Sequence, residues 1–257
     1  MARIFITGSA DGLGLMEARM LVGLGHEVVL HGRNEQRAKE ALSRVPGAMT
    51  AVAADLASIA ETKALAGQVN ELGPLDAVIH NAGVYGEGHC RRTREGLPEI
   101  FVVNSLAPYI LTCLIKRPKR MISTSSGLHR GGDASLKDLE CKERRCSVSG
   151  AYADSKLQIV LLAFAAARKW PDVLSNAVDP GWAATKMGGA GAPVSVEEGS
   201  RTQVWLAVSE EKAALVSGGY FSHQELRSAH RAAADPAVQE KYLSECHRLS
   251  GVAFPAS

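Results

Sequence analysis

The sequence predicts an α/β protein with a doubly wound parallel seven-stranded sheet and helices on both faces. Three observations lead to this prediction. Short runs rich in β-branched residues alternate with helical stretches from one end of the chain to the other. A glycine-rich turn directly follows the first strand and opens the first helix. The length of 257 residues fits one domain of this class, spanning residues 1–257.

The strands are expected, in order, at residues 3–7, 27–30, 50–53, 77–80, 120–123, 174–178 and 219–221. The helices are expected at residues 13–24, 35–44, 58–71, 95–116, 152–169, 196–208 and 236–249. Right-handed crossovers close such an alternation into one sheet. Pro108 lies inside the fourth helical stretch and should kink or interrupt it, because proline has no backbone N–H.

Two long segments, residues 127–151 and 183–199, do not fit the alternation. Both are rich in glycine and leave the carboxyl end of a strand, where open α/β sheets bind ligands. Loops of this length in a compact domain are either functional lids or disordered surface. Their position and glycine content favour substrate-side lids.

The overall charge excludes several classes of function. With 29 basic and 27 acidic side chains, the net charge of +2 creates no field that would attract nucleic acid or an anionic membrane. Short basic clusters, such as residues 142–145, are expected to be solvated surface. The longest apolar run, residues 159–167, falls well short of the roughly 20 residues of a membrane span. No signal peptide is recognised, so we expect a soluble, cytoplasmic protein.

The chain has five scattered cysteines, Cys90, Cys113, Cys141, Cys146 and Cys246. An odd, irregular set is typical of a reducing compartment rather than of a disulfide framework. It also lacks the paired spacing of a zinc site, so no metal is expected. The lone loop histidines His129, His223 and His230 are expected to be solvated.

The turn after the first strand is the predicted pyrophosphate site of a dinucleotide. Without a Cβ, glycine lets the backbone approach the phosphates, and the N-terminus of the following helix supplies positive potential. The turn contains Gly8, Ser9, Asp11, Gly12, Leu13 and Gly14, all of which are candidate cofactor-binding residues.

The end of the second strand favours NADP(H) over NAD. A carboxylate that would bind the ribose diol of NAD is missing from this strand end, where Arg33 suits a 2′-phosphate instead. The alternative is that Arg33 is an ordinary exposed residue. His31, next to it, either joins the pocket or fills the strand end.

Three further strand ends carry small or hydrogen-bonding residues where core packing would place apolar ones. They are Asp55-Leu56, Asn81-Ala82-Gly83 and Ser123-Thr124-Ser125-Ser126. Since the carboxyl ends of parallel strands meet at one edge of the sheet, these residues are expected to line one cleft.

Tyr152 and Lys156 are candidates for proton transfer. Four residues apart on a helix, they share one face. The lysine ammonium can then lower the pKa of the phenol, which is about 10 when unperturbed. A tyrosine tuned in this way donates or accepts a proton. The alternative is an exposed helical pair without function.

These motifs resemble, in order and over nearly the whole chain, the short-chain dehydrogenase/reductase family. The matching positions are Thr7-Gly8-x-x-x-Gly12-x-Gly14, Asp55, Asn81-Ala82-Gly83, Asn104, Ser126, Tyr152-x-x-x-Lys156 and Pro180-Gly181. The resemblance implies a Rossmann fold and hydride transfer between a nicotinamide cofactor and a carbonyl or alcohol.

The resemblance also implies roles for individual residues. Tyr152 would be the general acid or base, and Ser126 would bind the carbonyl oxygen, although Ser125 competes for that place. Lys156 would bind the nicotinamide ribose, and Asn104 would hold a water molecule of a proton relay. The remaining implied cofactor contacts are Asp55 with adenine, Asn81 and Gly83 with the adenosine ribose, and Pro180, Gly181 and Thr185 with the nicotinamide.

Within the family, the Ser125-Ser126-x-x-His129 segment is similar to a branch that contains retinol dehydrogenases and WW-domain oxidoreductases. Asp179 departs from that branch, in which histidine is frequent before the Pro-Gly pair. Four side chains are expected to form an apolar wall at the mouth of the cleft, Tyr85, Leu128, Trp182 and Met187.

We therefore expect an NADP(H)-dependent oxidoreductase acting on a small, fairly apolar substrate. The alternative is a regulatory protein that binds NADP(H) without turnover. Because the helix after Tyr152 is apolar all round over residues 159–167, a homodimer or homotetramer through this helix is also expected.

Overall fold

The computed structural model describes residues 1–86, 88–142 and 146–256, and an eight-stranded sheet forms its centre. The strands are β1 (Arg3–Ile6), β2 (Glu27–Gly32), β3 (Thr50–Ala53), β4 (Ala77–His80), β5 (Arg120–Thr124), β6 (Leu174–Asp179), β7 (Tyr220–Ser222) and β8 (Glu225–Arg227). Their order across the sheet is β3-β2-β1-β4-β5-β6-β7-β8. Neighbouring strands are parallel except β7 and β8. The doubly wound α/β fold is confirmed; residues 143–145 of the predicted basic surface lie outside the described residues.

Helices cover both faces of the sheet. They are α1 (Gly12–Gly23), α2 (Glu35–Arg44), α3 (Ile59–Glu71), α4 (Glu99–Phe101), α5 (Ala107–Leu114), α6 (Val148–Lys169), α7 (Val196–Val208) and α8 (Pro236–Ser250). In the central strand β1, Ile4 and Ile6 belong to the core under α1 and α7, while Phe5 belongs to the core under α3 and α5. Successive strand side chains point to opposite faces, so β1 has to be apolar throughout.

The strand β8 was not predicted, and the expected number of seven strands is wrong by one. The chain turns back from β7 through His223 and Gln224, whose φ angles of 51° and 61° are those of a two-residue hairpin turn. Such turns favour Asn and Gly, so this pair carries no hairpin signal in the sequence. All three residues of β8 are exposed, so burial imposes no pattern on them either.

The helical stretch predicted at residues 95–116 is irregular but not broken at Pro108. The helix α4 leads into a π-helical turn, Val102–Leu106, which leads into α5. Pro108 stands in the first turn of α5, where proline is tolerated. The predicted kink at Pro108 is therefore wrong. The irregularity lies in the π-helical turn before it, which carries Asn104.

The two long segments contain more regular structure than expected. Residues 127–131 form a 3₁₀ helix, and α6 begins at Val148, four residues before Tyr152. In the other segment, Ala183 forms a bridge with Val194, and α7 begins at Val196. Both loops are thus shorter than the sequence predicted.

The apolar part of α6 is buried within the chain itself. Leu161, Leu162 and Ala165 have no exposed surface, because α6 packs into one core with the sheet, α5 and α8. From α8, Tyr242 and Leu243 join this core. The reason for expecting a homodimer or homotetramer through α6 is therefore wrong, while the oligomeric state itself stays a prediction.

Two of the cysteines are paired, contrary to the expectation that the chain has no disulfide. Cys90 and Cys146 form a disulfide with their Cα atoms 6.1 Å apart, within the range such bonds require. The two residues are 56 positions apart, so no local spacing pattern connects them. Across the described residues, no helix has both the length and the apolar composition needed to cross a bilayer.

Candidate active site

A cleft of about 1290 Å³ opens at the carboxyl ends of the central strands. It is lined by most of the predicted site residues, namely Gly8, Asp11, Gly12, Leu13, Arg33, Asp55, Leu56, Asn81, Ala82, Gly83, Ser126, Tyr152, Lys156, Pro180, Gly181 and Thr185. The order of strands reverses between β1 and β4, which is where open α/β sheets bind their ligands. Ser9, Gly14 and Asn104 do not line the cleft.

The glycine turn packs tightly against Asn81. A Cβ on Gly14 would lie 2.4 Å from the Asn81 amide nitrogen and 2.8 Å from the Gly8 carbonyl, so no larger residue fits there. The Asn81 amide donates to the carbonyls of Thr7 and Gly8 at 2.9 and 3.2 Å. Asn81 therefore braces the turn, while Asp11 caps the N-terminus of α1 by accepting from the Gly12 N–H.

His31 fills the end of β2 and does not act as a cation in the pocket. Its Nδ1 accepts from the Gly8 N–H at 2.9 Å, and its Nε2 lies 3.0 Å from the Ala54 carbonyl. Burial lowers the pKa of His31 to about 4, so the ring is neutral at physiological pH. Ser9 has a similar structural role, since its hydroxyl accepts from the His31 N–H and donates to the Ile6 carbonyl.

Four basic side chains surround this end of the cleft. Arg33 is exposed and lines the cavity together with Arg37. The guanidinium groups of Arg37 and Arg44 lie 3.5 and 3.7 Å from the Asp11 carboxylate, which also pairs with Lys186. The hydrogen bond from Lys186 is the main cause of the lowered pKa of Asp11. Sequence reasoning missed Arg37, although its position four residues after Arg33 could have indicated it.

At the other end of the cleft, α6 places Tyr152 and Lys156 together. The Lys156 Nζ lies 5.4 Å from the centre of the Tyr152 ring and donates to the Thr124 carbonyl at 2.9 Å. Tyr85 meets the Tyr152 ring edge-on, with the centroids 4.9 Å apart. Tyr152 and Lys156 are only 8% and 4% exposed, so the reading of an exposed helical pair is wrong.

Burial, rather than the lysine, dominates the electrostatics of this pair. Burial raises the pKa of Tyr152 to about 12, with a further rise from Asp179 and an opposing effect of a hydrogen bond with Ser126. Burial lowers the pKa of Lys156 to about 8, opposed by Asp179. The expected lowering of the Tyr152 pKa by Lys156 therefore does not occur in this structure.

The two candidate serines have different surroundings. The Ser125 hydroxyl donates to the Lys156 carbonyl at 2.8 Å and is buried. Ser126 interacts through its hydroxyl with the Tyr152 phenol and also caps the 3₁₀ helix, accepting from the Leu128 N–H at 3.3 Å. Of the two, Ser126 faces the phenol and Ser125 anchors the backbone of α6.

Asn104 lies behind the cleft and connects three parts of the chain. From the π-helical turn, its side chain accepts from the Val84 N–H at 2.7 Å and donates to the Val84 carbonyl and the Ser155 hydroxyl. Its Oδ1 also comes within 3.5 Å of the place where a Cβ of Gly83 would stand. In this structure Asn104 thus holds the segment after β4 against α6.

Two polar residues near Tyr152 and Lys156 were not recognised from the sequence as parts of the site. His129 was expected to be solvated, but it has no exposed surface, because its Nδ1 lies 2.8 Å from the Ser126 carbonyl and its Nε2 accepts from the His230 N–H. The carboxylate of Asp179 lines the cleft at the end of β6. In the sequence, the place of Asp179 in the cleft was indicated only by the replacement of the histidine that is frequent before the Pro-Gly pair in the related branch.

The mouth of the cleft is apolar, as expected. Tyr85, Leu128, Trp182 and Met187 all line it and are between 38% and 62% exposed. The Met187 sulfur lies 4.0 Å from the Tyr152 hydroxyl, so this wall reaches the Tyr152 phenol. Exposed aromatic and thioether groups thus lie directly beside a buried polar centre.

Comparisons with known sequences agree with this geometry. The family model described as short chain dehydrogenase matches residues 2–128. An uncharacterized oxidoreductase of Emericella nidulans is 44% identical over 99% of this chain and 99% of its own length. A short-chain dehydrogenase of Penicillium rubens is 40% identical over the whole of both chains. Retinol dehydrogenase 13 of Homo sapiens is 29% identical over 98% of this chain and 86% of its own, which supports the predicted similarity to retinol dehydrogenases.

The fold is also similar to solved structures. An uncharacterized protein of Mycobacterium paratuberculosis superimposes with a TM-score of 0.84 over 99% of this chain and 95% of its own, at 23% identity. Salutaridine reductase of Papaver somniferum superimposes with a TM-score of 0.71 over 86% of this chain and 99% of its own, at 20% identity. At these identities the likeness concerns the fold alone.

Proposed function

The chain belongs to the short-chain dehydrogenase family and is an oxidoreductase, and from this we propose that it interconverts a carbonyl and an alcohol by hydride transfer with NADP(H). One observation carries the proposal. Ser126, Tyr152 and Lys156 lie in the same cleft as the glycine turn that begins α1. A proton donor and a dinucleotide site in one cleft are what this reaction requires.

The residues of the cleft fit a dinucleotide. Gly8 and Gly12 line the cleft with φ angles of 65° and 54°, and the N-terminus of α1 points positive potential toward the turn. The cofactor, when bound, supplies or accepts the hydride. Gly8, Gly12 and Leu13 would approach the pyrophosphate, Asp55 and Asn81 the adenosine, and Pro180, Gly181 and Thr185 the nicotinamide.

NADP(H) is the cofactor we propose, with NAD less favoured. Arg33 and Arg37 line the end of the cleft at β2, and this strand ends without the carboxylate that binds the ribose diol of NAD. Arg33 forms no ion pair with any residue in the described ranges, so its guanidinium is available to a 2′-phosphate.

Three residues of the chain, Tyr152, Ser126 and Lys156, have separate roles in the proposed reaction. In reduction, the Tyr152 phenol donates its proton to the carbonyl oxygen, while the Ser126 hydroxyl stabilises the negative charge that develops there. Lys156, held by the Thr124 carbonyl, keeps a positive charge beside the phenol.

The substrate we propose is small and fairly apolar, because the mouth of the cleft is formed by Tyr85, Leu128, Trp182 and Met187. The alternative, a regulatory protein that binds NADP(H) without turnover, gives no reason for Ser126, Tyr152 and Lys156 to meet in the cavity. A cytoplasmic location remains a prediction from composition, and the Cys90–Cys146 disulfide counts against it.

The test is Tyr152→Phe, which removes only the phenol hydroxyl. We expect kcat to fall about a hundredfold to ten-thousandfold. The Kd for NADPH should change less than about threefold, since binding draws on the rest of the cleft. The assay follows NADPH oxidation with isatin, menadione, benzaldehyde and decanal, and calorimetry gives the Kd. Near-ultraviolet circular dichroism checks the fold of the variant.

Either of two results would contradict the proposal. NADPH binding by the wild type without turnover of any carbonyl compound would favour the regulatory alternative. Turnover that survives in Tyr152→Phe would show that another group donates the proton.

A further inference from the structure

Asp179 connects two turns that border the catalytic cleft. It is the last residue of β6, and its Oδ1 accepts from the Gly181 N–H at 3.0 Å, which holds the Pro180–Gly181 turn. A Cβ built on Gly127 would lie only 3.1 Å from the Asp179 Oδ2, so the carboxylate occupies the space beside the Ser126–Gly127 turn. One side chain thus contacts both the turn after the serine and the turn predicted to hold the nicotinamide.

The backbone of Asp179 is fixed in the same place. Asp179 pairs with Ser222 in the ladder between β6 and β7, and the Ser222 hydroxyl donates to its carbonyl at 3.1 Å. On the other side, the Ser125 N–H donates to the carbonyl of Val178 at 2.7 Å. The carboxylate therefore has little freedom to leave the floor of the cleft.

The charged and titratable groups around Asp179 come from three elements. Tyr152 and Lys156 face it from α6, Tyr220 from β7, and His129 and Arg130 from the 3₁₀ helix. Tyr220 is 1% exposed, and its hydroxyl makes no hydrogen bond of regular geometry with the residues that the structure describes. The Arg130 guanidinium donates to the Ser228 carbonyl and lies 6.0 Å from the centre of the Tyr220 ring.

We propose that Asp179 is a positioning residue of the catalytic centre, which holds the Ser126–Gly127 and Pro180–Gly181 turns in register and places a negative charge below Tyr152 and Lys156. The inference rests on the proposed function, because it assigns Asp179 a part in the same proton transfer. Asp179 acts through these residues and need not touch the substrate.

The charge has a defined consequence for the pH dependence of turnover. After burial, the Asp179 carboxylate is the next cause that raises the pKa of Tyr152, and it also raises the pKa of Lys156. Removal of the charge should therefore lower both pKa values. Reduction needs both the protonated phenol and the Lys156 charge, so its rate is first lost as pH rises through the lower of the two pKa values, that of Lys156 at about 8. Without the Asp179 charge, this loss should begin at lower pH.

Asp179→Asn separates charge from geometry, because the amide oxygen can still accept from the Gly181 N–H. The measurement is kcat/KM for reduction across the alkaline range, with NADPH saturating and the best substrate among isatin, menadione, benzaldehyde and decanal. We expect the alkaline loss to move to lower pH, so that the variant is about two- to tenfold slower at a pH on that limb and close to wild type below it. The Kd for NADPH should stay within about threefold.

Gly127→Ala provides the complementary change, since it retains the charge but inserts a methyl group against the carboxylate. Its kcat/KM should fall by about two- to tenfold at every pH, with the alkaline limb unmoved. Glu210→Gln serves as the matched control, because it removes a carboxylate that is 82% exposed and paired with Arg120 at the opposite end of β5. Glu210→Gln should change neither the value of kcat/KM nor the position of the alkaline limb.

The possible results are distinct. An Asp179→Asn profile that superimposes on the wild type would overturn the inference, as would an equal shift in Gly127→Ala or Glu210→Gln. A wild type that turns over none of the four compounds would instead contradict the proposed function. Loss of NADPH binding in Asp179→Asn would also overturn the inference, because the turn at Gly181 would then depend on the charge rather than on the acceptor.

Discussion

At the scale of single residues, most of the basic side chains at the Arg33 end of the cleft are already paired with a carboxylate. Asp11 caps α1 where the pyrophosphate would lie, and Arg37, Arg44 and Lys186 all pair with it. Arg33 is not among these partners. A 2′-phosphate would therefore meet Arg33 without first breaking an ion pair, whereas Arg37 would have to be shared with Asp11.

Arg33→Ala is expected to weaken NADPH binding and to leave NADH binding nearly unchanged. A hydrogen bond to a charged group contributes about 1.5–3 kcal/mol, so the Kd for NADPH should rise about tenfold or more. The two cofactors differ only in the 2′-phosphate, which makes NADH the internal control. Calorimetry with both cofactors measures the effect.

Arg201→Ala is the matched control for this experiment. It removes an arginine that is 56% exposed and paired with Glu197 on α7, and it should not discriminate between the cofactors. Equal affinity of the wild type for NADPH and NADH would show that the cofactor assignment is wrong, whatever the variants do.

At the scale of elements, the segment after β4 is held against α6 from three directions. Asn104 binds the backbone of Val84 from the π-helical turn, and Tyr85 packs on Tyr152. The Cys90–Cys146 disulfide then ties the end of the segment to the residue before the cap of α6. The apolar wall at Tyr85 therefore depends on a covalent contact that lies outside the cleft.

Reduction of this disulfide should loosen the apolar wall without disturbing the proposed catalytic residues Tyr152 and Lys156. In Cys90→Ser, or in the wild type with excess dithiothreitol, we expect KM for the carbonyl substrate to rise about two- to tenfold while kcat changes little. Loss of a loop closure of this length should also lower the free energy of unfolding by about 2–4 kcal/mol. Steady-state kinetics and urea unfolding, each with and without dithiothreitol, measure the two effects.

Cys113→Ser is the control, because Cys113 lies on α5 away from the disulfide. It should respond to dithiothreitol as the wild type does, and Cys90→Ser should not respond at all. A wild type whose KM and stability are indifferent to dithiothreitol would contradict the role given to the disulfide.

At the scale of the whole molecule, one buried carboxyl group should shape the stability of the fold. Glu17 on α1 has no exposed surface, and neither of its carboxylate oxygens has a hydrogen-bond partner within the described residues. Burial raises its pKa from 4.5 to about 8. Because the folded pKa is the higher one, the folded state is most favoured below pH 4.5, and this stability is lost progressively as pH rises from 4.5 to about 8.

Glu17→Gln should remove this loss, because glutamine has nothing to ionise. We expect the variant to be roughly 3 kcal/mol more stable than the wild type at about pH 7, with a difference that shrinks toward about pH 5. Urea unfolding at several pH values measures it. Glu71→Gln, at an exposed position at the end of α3, is the control and should follow the wild type. A constant difference across pH would show that Glu17 has the same pKa in the folded and unfolded states, so that its burial does not raise that pKa.

The sequence alone was sufficient for the seven parallel strands, the glycine turn and the meeting of Tyr152 with Ser126 in one cleft. The strands and the glycine turn follow from local periodicity and from the rule that parallel strands end together at one edge of the sheet, whereas the meeting of Tyr152 with Ser126 was implied by the resemblance to the family. The bounds of α2 and α7 also agree with the prediction. Local sequence marks where each helix begins, because an asparagine caps α2 and a serine caps α7.

Only the tertiary structure decided the rest, because it depends on contacts between residues distant in sequence. The pairing of Cys90 with Cys146, the burial of α6 under α8 and the burial of His129 are of this kind. The raised pKa of Tyr152 also depends on such contacts. It results from burial and from the charge of Asp179 on β6, and the spacing of Tyr152 and Lys156 in the sequence indicates neither of them. Periodicity indicates which face of a helix or strand is buried. It does not indicate which residues pack against that face, and those residues determine both the packing and the electrostatic environment.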